Sequence, residues 1–258
     1  MNMVLLKLER VTKQFGGLMA VSQLDLELQE GEILGVVGPN GAGKTTVFNL
    51  ISGVHSPGSG EILFRGRNIA GLKPHKIAVQ GLSRTFQIST LYNKCGVLEN
   101  VIIGHHCQMK VGLWDTLWRT KTFWKEENEV EEKAVELLEF MNLAEYKDVF
   151  AENLSHGHQK RLAVAIALST KPRLLLLDEP FAGMDTVETK QMMGLVGRIR
   201  DRETSVLLIE HDMKAVMGLC DRIVVMNYGA KLAEGSPQEI QRNEDVIEAY
   251  LGKEDDFT

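Results

Sequence analysis

The feature that most constrains this chain is the stretch Gly38-Pro-Asn-Gly-Ala-Gly-Lys-Thr-Thr46, which fits the pattern G-x-x-x-x-G-K-[ST]. It follows an apolar run at 33–37 that is typical of a buried strand. Glycines let successive backbone N–H groups close on phosphates, and Lys44 can reach the β- and γ-phosphates. A helix should begin near Gly43 and point its positive end at the same anion, while Thr45 offers a hydroxyl to Mg²⁺. The stretch therefore predicts a nucleoside triphosphate site.

Two further apolar runs end at residues suited to the same chemistry. The runs 174–177 and 206–209 indicate strands covered on both faces, as in a parallel sheet. Ligands of such sheets bind beyond the carboxyl ends of the strands, so the residues that follow should converge on the phosphate loop. We expect Asp178 to hold Mg²⁺, Glu179 to orient and deprotonate the attacking water, and His211 to contact the γ-phosphate. The alternatives are a helix cap or turn for the acidic pair and a structural histidine.

The remaining sequence predicts two additions to this parallel core. Residues 4–66 are β-rich, and the alternation of apolar and acidic residues over 24–28 indicates antiparallel strands with one solvated face. Residues 97–170 are rich in Glu and Lys with an apolar helical face, which predicts an inserted helical lobe. A last helix is expected to start at Ser236-Pro-Gln-Glu239, where a capping box can form.

Length and charge limit the function classes. A chain of 258 residues is expected to form one functional module. Its net charge of −6, without a basic tract, argues against a nucleic-acid partner. Three widely spaced cysteines favour a reducing compartment. Charge interrupts the N-terminal segment too early for a signal peptide, and no apolar run approaches the ~20 residues that span a bilayer, so membrane association should come through a partner.

One more motif points to a family. Leu154-Ser-His-Gly-His-Gln159 resembles the Leu-Ser-Gly-Gly-Gln signature of ABC transporter ATPases. Further elements of that family occur in its order: Phe15 for the adenine-stacking aromatic, 38–46, Gln87 for the glutamine loop, the signature, Asp178-Glu179, Ala182-Gly-Met-Asp185 for the D-loop, and His211 for the switch. The resemblance covers nearly the whole chain. It implies a single α/β ABC ATPase domain at 1–258, with a RecA-like parallel-sheet core at about 1–87 and 160–258, an N-terminal antiparallel β subdomain, and a helical subdomain at 88–159.

The resemblance also implies a site shared by two subunits, in which two copies hold two ATP molecules head to tail. Ser155 lies where a cap is expected, before a helix at 159–169, so its hydroxyl and the helix-end N–H groups can meet a γ-phosphate. The residues expected at ATP are Phe15, Gly38, Pro39, Asn40, Gly41, Ala42, Gly43, Lys44, Thr45, Thr46, Gln87, Ser155, Gly157 and Asp185. Those expected in catalysis are Glu179, His211 and Lys44. Those expected at Mg²⁺ are Thr45, Gln87 and Asp178.

The signature departs from the family's pattern at two positions. His156 replaces the first Gly and His158 replaces the Gln, whereas Ser155 and Gly157 remain. We expect the change to alter the efficiency and the pH profile of hydrolysis. A metal site at the two histidines is disfavoured, because residues i and i+2 at a helix start do not face one site. The adjacent His105, His106 and Cys107 are expected to be packing or surface residues.

Several segments are similar to the longer of the two ATPases of branched-chain amino acid importers. They are 80–87, the extension at 104–131, 209–218 and 246–252. This similarity implies a peripheral subunit at the cytoplasmic face of the membrane, paired with a second ABC ATPase in a homodimer or heterodimer. It also implies two integral membrane permease subunits, an extracytoplasmic solute-binding protein that acts indirectly, and no nucleic acid. The solute stays open, because the binding protein and the channel select it.

Two alternatives to the importer remain at this point. One is a soluble ABC ATPase acting on nucleic acid or ribosomes, although such proteins usually show two cassettes, coiled-coil insertions or basic tracts. The other is a nucleotide-gated assembly factor in which the altered signature has made hydrolysis vestigial. The extension itself has two interpretations. Its aromatic residues Trp114, Trp118 and Trp124 either pack the helical lobe or form an exposed patch that docks a permease.

Overall fold

A computed structural model describes residues 3–85, 91–106 and 121–251, without the side chains of 106, 121–126 and 251. Several sequence predictions fall outside this part of the chain. They are the roles of Gln87, Cys107, Trp114 and Trp118, the side chains of His106 and Trp124, and the segment from Gly252 onward.

The described part consists of two sheets and a set of helices. The strands are β1 Val4–Phe15, β2 Leu18–Gln29, β3 Ile33–Val37, β4 Ser59–Phe64, β5 Arg67–Asn68, β6 Leu82–Arg84, β7 Leu174–Asp178, β8 Ser205–Ile209, β9 Arg222–Asn227 and β10 Ala230–Gly235. The helices are α1 Lys44–Ile51, α2 Pro74–Ala78, α3 Val97–His106, α4 Lys121–Phe140, α5 His156–Ser169, α6 Thr186–Arg200, α7 Met213–Leu219, α8 Pro237–Gln241 and α9 Glu244–Leu251. Short 3₁₀ turns occupy Ala144–Tyr146 and Ala151–Asn153.

The larger sheet has six strands in the order β10-β9-β3-β8-β7-β6. The strands from β9 to β6 run parallel, and β10 pairs antiparallel at one edge. Every residue of β3 and β8 is buried, as are Leu174 to Leu177 of β7, which confirms the prediction of three fully covered strands. β9 was not predicted from the sequence, although its run Ile223 to Met226 is equally apolar and a turn with Gly229 follows it.

The smaller sheet is antiparallel, with the order β2-β1-β4-β5. Leu24, Leu26 and Leu28 of β2 are buried between more exposed acidic residues, which confirms the predicted alternation. Its buried side chains share one core with α1 and with the larger sheet, including Phe64 of β4 and Phe48 of α1. This core fixes the start of α1 against both sheets, and α1 follows directly from the phosphate loop.

The described residues divide into two compact units. The first lies within Met1–Arg84, Arg173–Ala182 and Thr189–Thr258, and the second lies within Thr85–Pro172 and Gly183–Glu188. The second unit contains α3, α4 and α5, as expected for a helical lobe. Its limits differ from the proposed subdomain boundaries 88–159, because α5 packs against α3 and α4 and therefore groups with them.

Two predicted helix starts are seen at their capping residues. Ser236 caps α8, and Glu239 completes the capping box, as predicted. The pKa of Glu239 is lowered by its hydrogen bonds from the Ser236 backbone and side chain. Ser155 caps α5, which begins at His156 rather than at residue 159. Over the described ranges, no helix combines the length and the apolarity that crossing a membrane would need.

Candidate functional site

The phosphate loop connects β3 to α1, and its glycines are required by its backbone. Gly38, Gly41 and Gly43 have φ angles of +149°, +81° and +98°, a region that side chains strongly disfavour. A Cβ atom would lie 2.1 Å from the Met226 carbonyl oxygen at Gly38, and 2.3 Å from the Ala20 carbonyl oxygen at Gly43. No side chain caps the first turn of α1, so its backbone N–H groups are suited to an anion.

Lys44 is the first residue of α1 and is 9% exposed. Its Nζ donates to the carbonyl oxygens of Gly38 at 2.6 Å and Pro39 at 2.9 Å, so the ammonium lies inside the loop. Burial lowers the pKa of Lys44, and the negative charge of Glu179 opposes that shift. A phosphate would supply negative charge to this buried cation.

The acidic pair lies at the end of β7, next to the end of β8. Asp178 is the last residue of β7, and its Oδ2 accepts a hydrogen bond from Arg84 Nη2 at 2.8 Å. Glu179 has a φ of +48°, and its backbone N–H donates to the Ile209 carbonyl oxygen at 2.9 Å. This bond continues the pairing of the two strands by one residue. The Glu179 side chain is half exposed, as an attacking water would require.

His211 follows β8 and lies beside Glu179. Its Nδ1 is 3.9 Å from Glu179 Oε1 and 3.5 Å from Glu210 Oε2. Glu210 is fully buried and accepts hydrogen bonds from the backbone N–H groups of Phe181 at 2.8 Å, His211 at 2.9 Å and Asp212 at 3.3 Å. Glu210 was not assigned a role from the sequence. Its position directly after a fully apolar strand was the available signal, because a carboxylate buried there needs several donors.

Phe15 lies at the end of β1 and is 42% exposed. The His55 ring packs edge-on against it, with centroids 5.2 Å apart and planes at 71°, and Lys13 Nζ lies 5.1 Å from the Phe15 centroid. Tyr250 of α9 also lies near the site. Burial raises the pKa of Tyr250, and the nearby Gly38 backbone N–H opposes the shift. His55, Lys13 and Tyr250 were not predicted from the sequence to lie at the site.

The first unit therefore brings together most of the residues predicted from its separate motifs. The strands β3, β8 and β7 are adjacent and parallel. The phosphate loop, His211, Asp178 and Glu179 therefore lie together at the carboxyl ends of these strands. In the part of the chain that the structure describes, no group of three or more His, Cys, Asp or Glu side chains could enclose a metal ion. A Mg²⁺ site does not require one, because Mg²⁺ keeps several waters and is held by one or two protein oxygens plus substrate phosphates. The Thr45 hydroxyl and the Asp178 carboxylate are hard oxygen donors that fit such an ion.

The signature belongs to the second unit, where it packs against the segment 183–188. The Ser155 side chain accepts a hydrogen bond from the His158 backbone N–H at 3.3 Å. A Cβ atom on Gly157 would lie 2.7 Å from Glu188 Oε1, and one on Gly183 would lie 3.1 Å from His156 Nε2. The two replaced positions of the signature thus have different environments. His156 lies against Gly183, whereas His158 contacts Tyr146.

His158 stacks on Tyr146, with ring centroids 4.5 Å apart at a tilt of 39°. Burial lowers the pKa of His158 and Arg161 lowers it further, whereas Glu188 and Glu145 oppose the shift. Asp185 accepts hydrogen bonds from the backbone N–H groups of Val187 at 2.7 Å and Glu188 at 2.8 Å, at the start of α6.

Comparison with known proteins points to one family. The ABC transporter family model matches residues 21–182, and the model of the branched-chain amino acid ATP-binding cassette transporter matches 230–256. The high-affinity branched-chain amino acid transport ATP-binding protein LivG of Salmonella typhimurium is 45% identical over 98% of this chain and 100% of its own length. The high-affinity branched-chain amino acid transport ATP-binding protein BraF of Pseudomonas aeruginosa is 42% identical, over 98% of this chain and 100% of its own length.

Solved structures agree with these sequence matches. An ATP-binding cassette of an ABC transporter in its ADP conformation matches with a TM-score of 0.85 and 31% identity, over 97% of this chain and 100% of that chain. The expected α/β fold and the resemblance read from the motifs are both confirmed. The relatives do not favour an ATPase that acts on nucleic acid or ribosomes. The chain belongs to the ABC transporter family, as one of its ATP-hydrolysing subunits.

Proposed function

We propose that this chain hydrolyses ATP to drive the uptake of branched-chain or related amino acids, as a peripheral subunit at the cytoplasmic face of the membrane. The observation that carries the proposal is the 45% identity to LivG and 42% identity to BraF, both named as branched-chain amino acid transport ATP-binding proteins. The family match at 230–256 supports the same solute class. The proposed partners are two integral membrane permease subunits and, indirectly, an extracytoplasmic solute-binding protein.

The first unit supports a division of roles at ATP. The phosphate loop and Lys44 bind the β- and γ-phosphates, because the buried ammonium and the uncapped N–H groups of α1 face one small volume. Phe15 stacks on the adenine. Glu179 accepts the proton of the attacking water, and His211 beside it contacts the γ-phosphate. Thr45, Asp178 and Gln87 would hold Mg²⁺, which would neutralise charge on the phosphates.

The second unit supplies the other half of a shared site in this proposal. Ser155 caps α5, so a hydroxyl and a helix N-terminus occur together at the signature. Gly157 and Asp185 lie in the same unit and would meet the same nucleotide, bound by a second ABC ATPase subunit. ATP would then hold two subunits together, and its hydrolysis would release them.

Glutamate replacement tests the proposed base. Glu179→Gln should keep nucleotide affinity within about threefold while turnover falls by roughly 100-fold or more, as expected for loss of a general base. The matched control is Glu30→Gln, the same chemical change at an exposed position before β3. Lys44→Ala should instead weaken nucleotide binding itself. ATP hydrolysis by Glu179→Gln at the wild-type rate would show that the base is assigned wrongly.

Transport tests the proposed solute class. The chain, reconstituted in proteoliposomes with the proposed permeases and solute-binding protein, should drive ATP-dependent uptake of radiolabelled leucine, isoleucine or valine. The same vesicles containing the Glu179→Gln variant provide the background. Uptake of another amino acid class with no uptake of these three would assign a different importer while leaving the ATPase intact.

A further inference from the structure

Arg84, at the end of β6, connects two of the elements that form the candidate site. Its Nη2 donates to Asp178 Oδ2 at 2.8 Å, and its Nη1 donates to Asn49 Oδ1 at 2.7 Å and Ser52 Oγ at 3.1 Å. The guanidinium also lies over the Phe48 ring, 5.5 Å from its centroid. One side chain thus joins β7 to α1, and none of the roles above uses it.

The contacts of Arg84 leave its side chain little freedom. The Arg84 and Asp178 side chains are only 7% and 13% exposed. Burying two charges is costly unless their geometry is good and further hydrogen bonds are made, and Asn49 and Ser52 provide two such bonds to Nη1. The guanidinium is a rigid planar fork, so fixing one of its ends on α1 also fixes the direction of the end that meets the carboxylate.

The elements that Arg84 joins carry two of the proposed Mg²⁺ ligands. Asn49 lies one helical turn beyond Thr45 on α1, and Asp178 is the last residue of β7. We propose that Arg84 is a positioning residue that sets the separation between the Thr45 hydroxyl and the Asp178 carboxylate, and thereby favours Mg²⁺ over larger divalent cations at the nucleotide. This inference rests on the proposed function, because it takes Thr45 and Asp178 as the Mg²⁺ ligands.

Cation selectivity separates positioning from a simple charge effect. Mg²⁺ demands near-ideal octahedral geometry, whereas Ca²⁺ accepts flexible coordination with longer bonds. Loss of positioning should therefore weaken the binding of Mg²⁺ more than the binding of Ca²⁺. If Arg84 acted only as a counter-ion to Asp178, its removal would strengthen the binding of both cations, because a nearby positive charge would be gone.

The experiment measures how Mg²⁺ and Ca²⁺ promote binding of a fluorescent ADP analogue to the full chain, without turnover. Arg84→Met removes the charge and the fork but keeps an unbranched apolar side chain, and Arg84→Lys keeps the charge alone. In Arg84→Met the half-saturating Mg²⁺ concentration should rise about tenfold, as for other residues that orient metal ligands. The Ca²⁺ value should change less than about twofold, and Arg84→Lys should fall between the wild type and Arg84→Met.

Two controls keep the result interpretable. Asn49→Ala removes one contact of the fork and should raise the half-saturating Mg²⁺ concentration by a smaller factor. This variant tests the inference even if Arg84→Met folds poorly. Arg222→Met removes a different partly buried ion pair, with Glu32 at the opposite end of β3, and should lower thermal stability without changing the ratio of Mg²⁺ to Ca²⁺.

Equal losses for both cations, tighter Mg²⁺ binding in Arg84→Met, or unchanged values in Arg84→Met and Asn49→Ala would each overturn the inference. Comparing Asp178→Asn with the wild type tests the metal assignment in the proposed function separately. If Asp178→Asn kept the wild-type dependence on Mg²⁺, the metal assignment in the proposed function would be wrong, and the inference would fall with it.

Discussion

The His211 imidazole lies 3.9 Å from the Glu179 carboxylate, measured from Nδ1 to Oε1, at the ends of the adjacent strands β8 and β7. The Glu179 side chain is half exposed and the His211 side chain is more exposed still, so packing contributes little to this arrangement. The buried carboxylate of Glu210 holds it instead, because its hydrogen bonds fix the backbone that follows both strands.

Replacing Glu210 should therefore disturb catalysis and folding together. Glu210→Ala would leave the N–H groups of Phe181, His211 and Asp212 without their acceptor, at a cost of about 3 kcal/mol in the free energy of unfolding. Turnover should fall more than nucleotide affinity, since the phosphate loop keeps its own contacts. Urea unfolding and steady-state kinetics measure both effects. Glu210→Gln, which retains one acceptor oxygen, should lose less; a fully stable and active Glu210→Ala would contradict this role.

Two glycines of the phosphate loop should differ in their tolerance of alanine. Gly38 and Gly41 both have positive φ, but only at Gly38 would a Cβ meet backbone, 2.1 Å from the Met226 carbonyl oxygen, whereas nothing lies within 4 Å of it at Gly41. Gly41→Ala should cost about 1–2 kcal/mol of unfolding free energy from conformational strain alone. Gly38→Ala should cost more and weaken nucleotide binding, because the loop must move. Calorimetric binding and denaturant unfolding test this, and equal losses at the two positions would refute it.

The thiol of Cys220 should make stability depend on alkaline pH. Burial, helped by Asp221 and Glu32, raises the pKa of Cys220 from 9.0 to about 12. A raised folded-state pKa gives a stabilisation that is complete below pH 9.0 and is lost as the pH rises towards about 12, because only the unfolded state readily releases the proton. Relative to Cys220→Ala, the wild type should lose roughly 1.4 kcal/mol per pH unit within that window.

Urea unfolding of the two proteins from about pH 8 to 10.5 measures this difference directly. Other titrating groups contribute equally to both proteins, so the comparison isolates the thiol. Parallel curves for wild type and Cys220→Ala would mean that the thiol is not desolvated in the folded state.

His158 should give a stability difference at acidic pH. Its pKa is lowered from 6.5, chiefly by burial and then by Arg161, so the unfolded state takes up the proton first as the pH falls. The contribution of His158 is therefore present above pH 6.5 and is lost below it. His158→Gln restores the signature's usual residue and removes this titration. Its melting temperature relative to the wild type should rise as the pH falls from about 7.5 to 5.5, while His156→Gln controls for the other replaced position.

The features of the fold and of the site that were predicted from the sequence are those specified by residues close together in the chain. The phosphate loop, the capping box at Ser236 and the Ser155 cap each depend on a few consecutive residues, whose backbone angles and local hydrogen bonds restrict them. The covered strands were predictable because a run without polar residues is stable only where both faces are buried. The role of Gln87 and the aromatic extension lie outside the described residues and stay predictions.

What the sequence by itself determined is the set of chemical groups and the order in which they occur, from the phosphate loop to His211. Only the tertiary structure decided which residues and strands lie against these groups and hold them in place. β9 lies between β10 and β3, Arg84 lies against Asp178, and Cys220 lies where a Cβ on Gly35 would be 2.9 Å from its sulfur. These partners are distant in the chain, and no local pattern specifies them. Arg84 and Asp178 meet because the parallel strands β6 and β7 align their carboxyl ends, and Cys220 meets Gly35 because β9 pairs with β3.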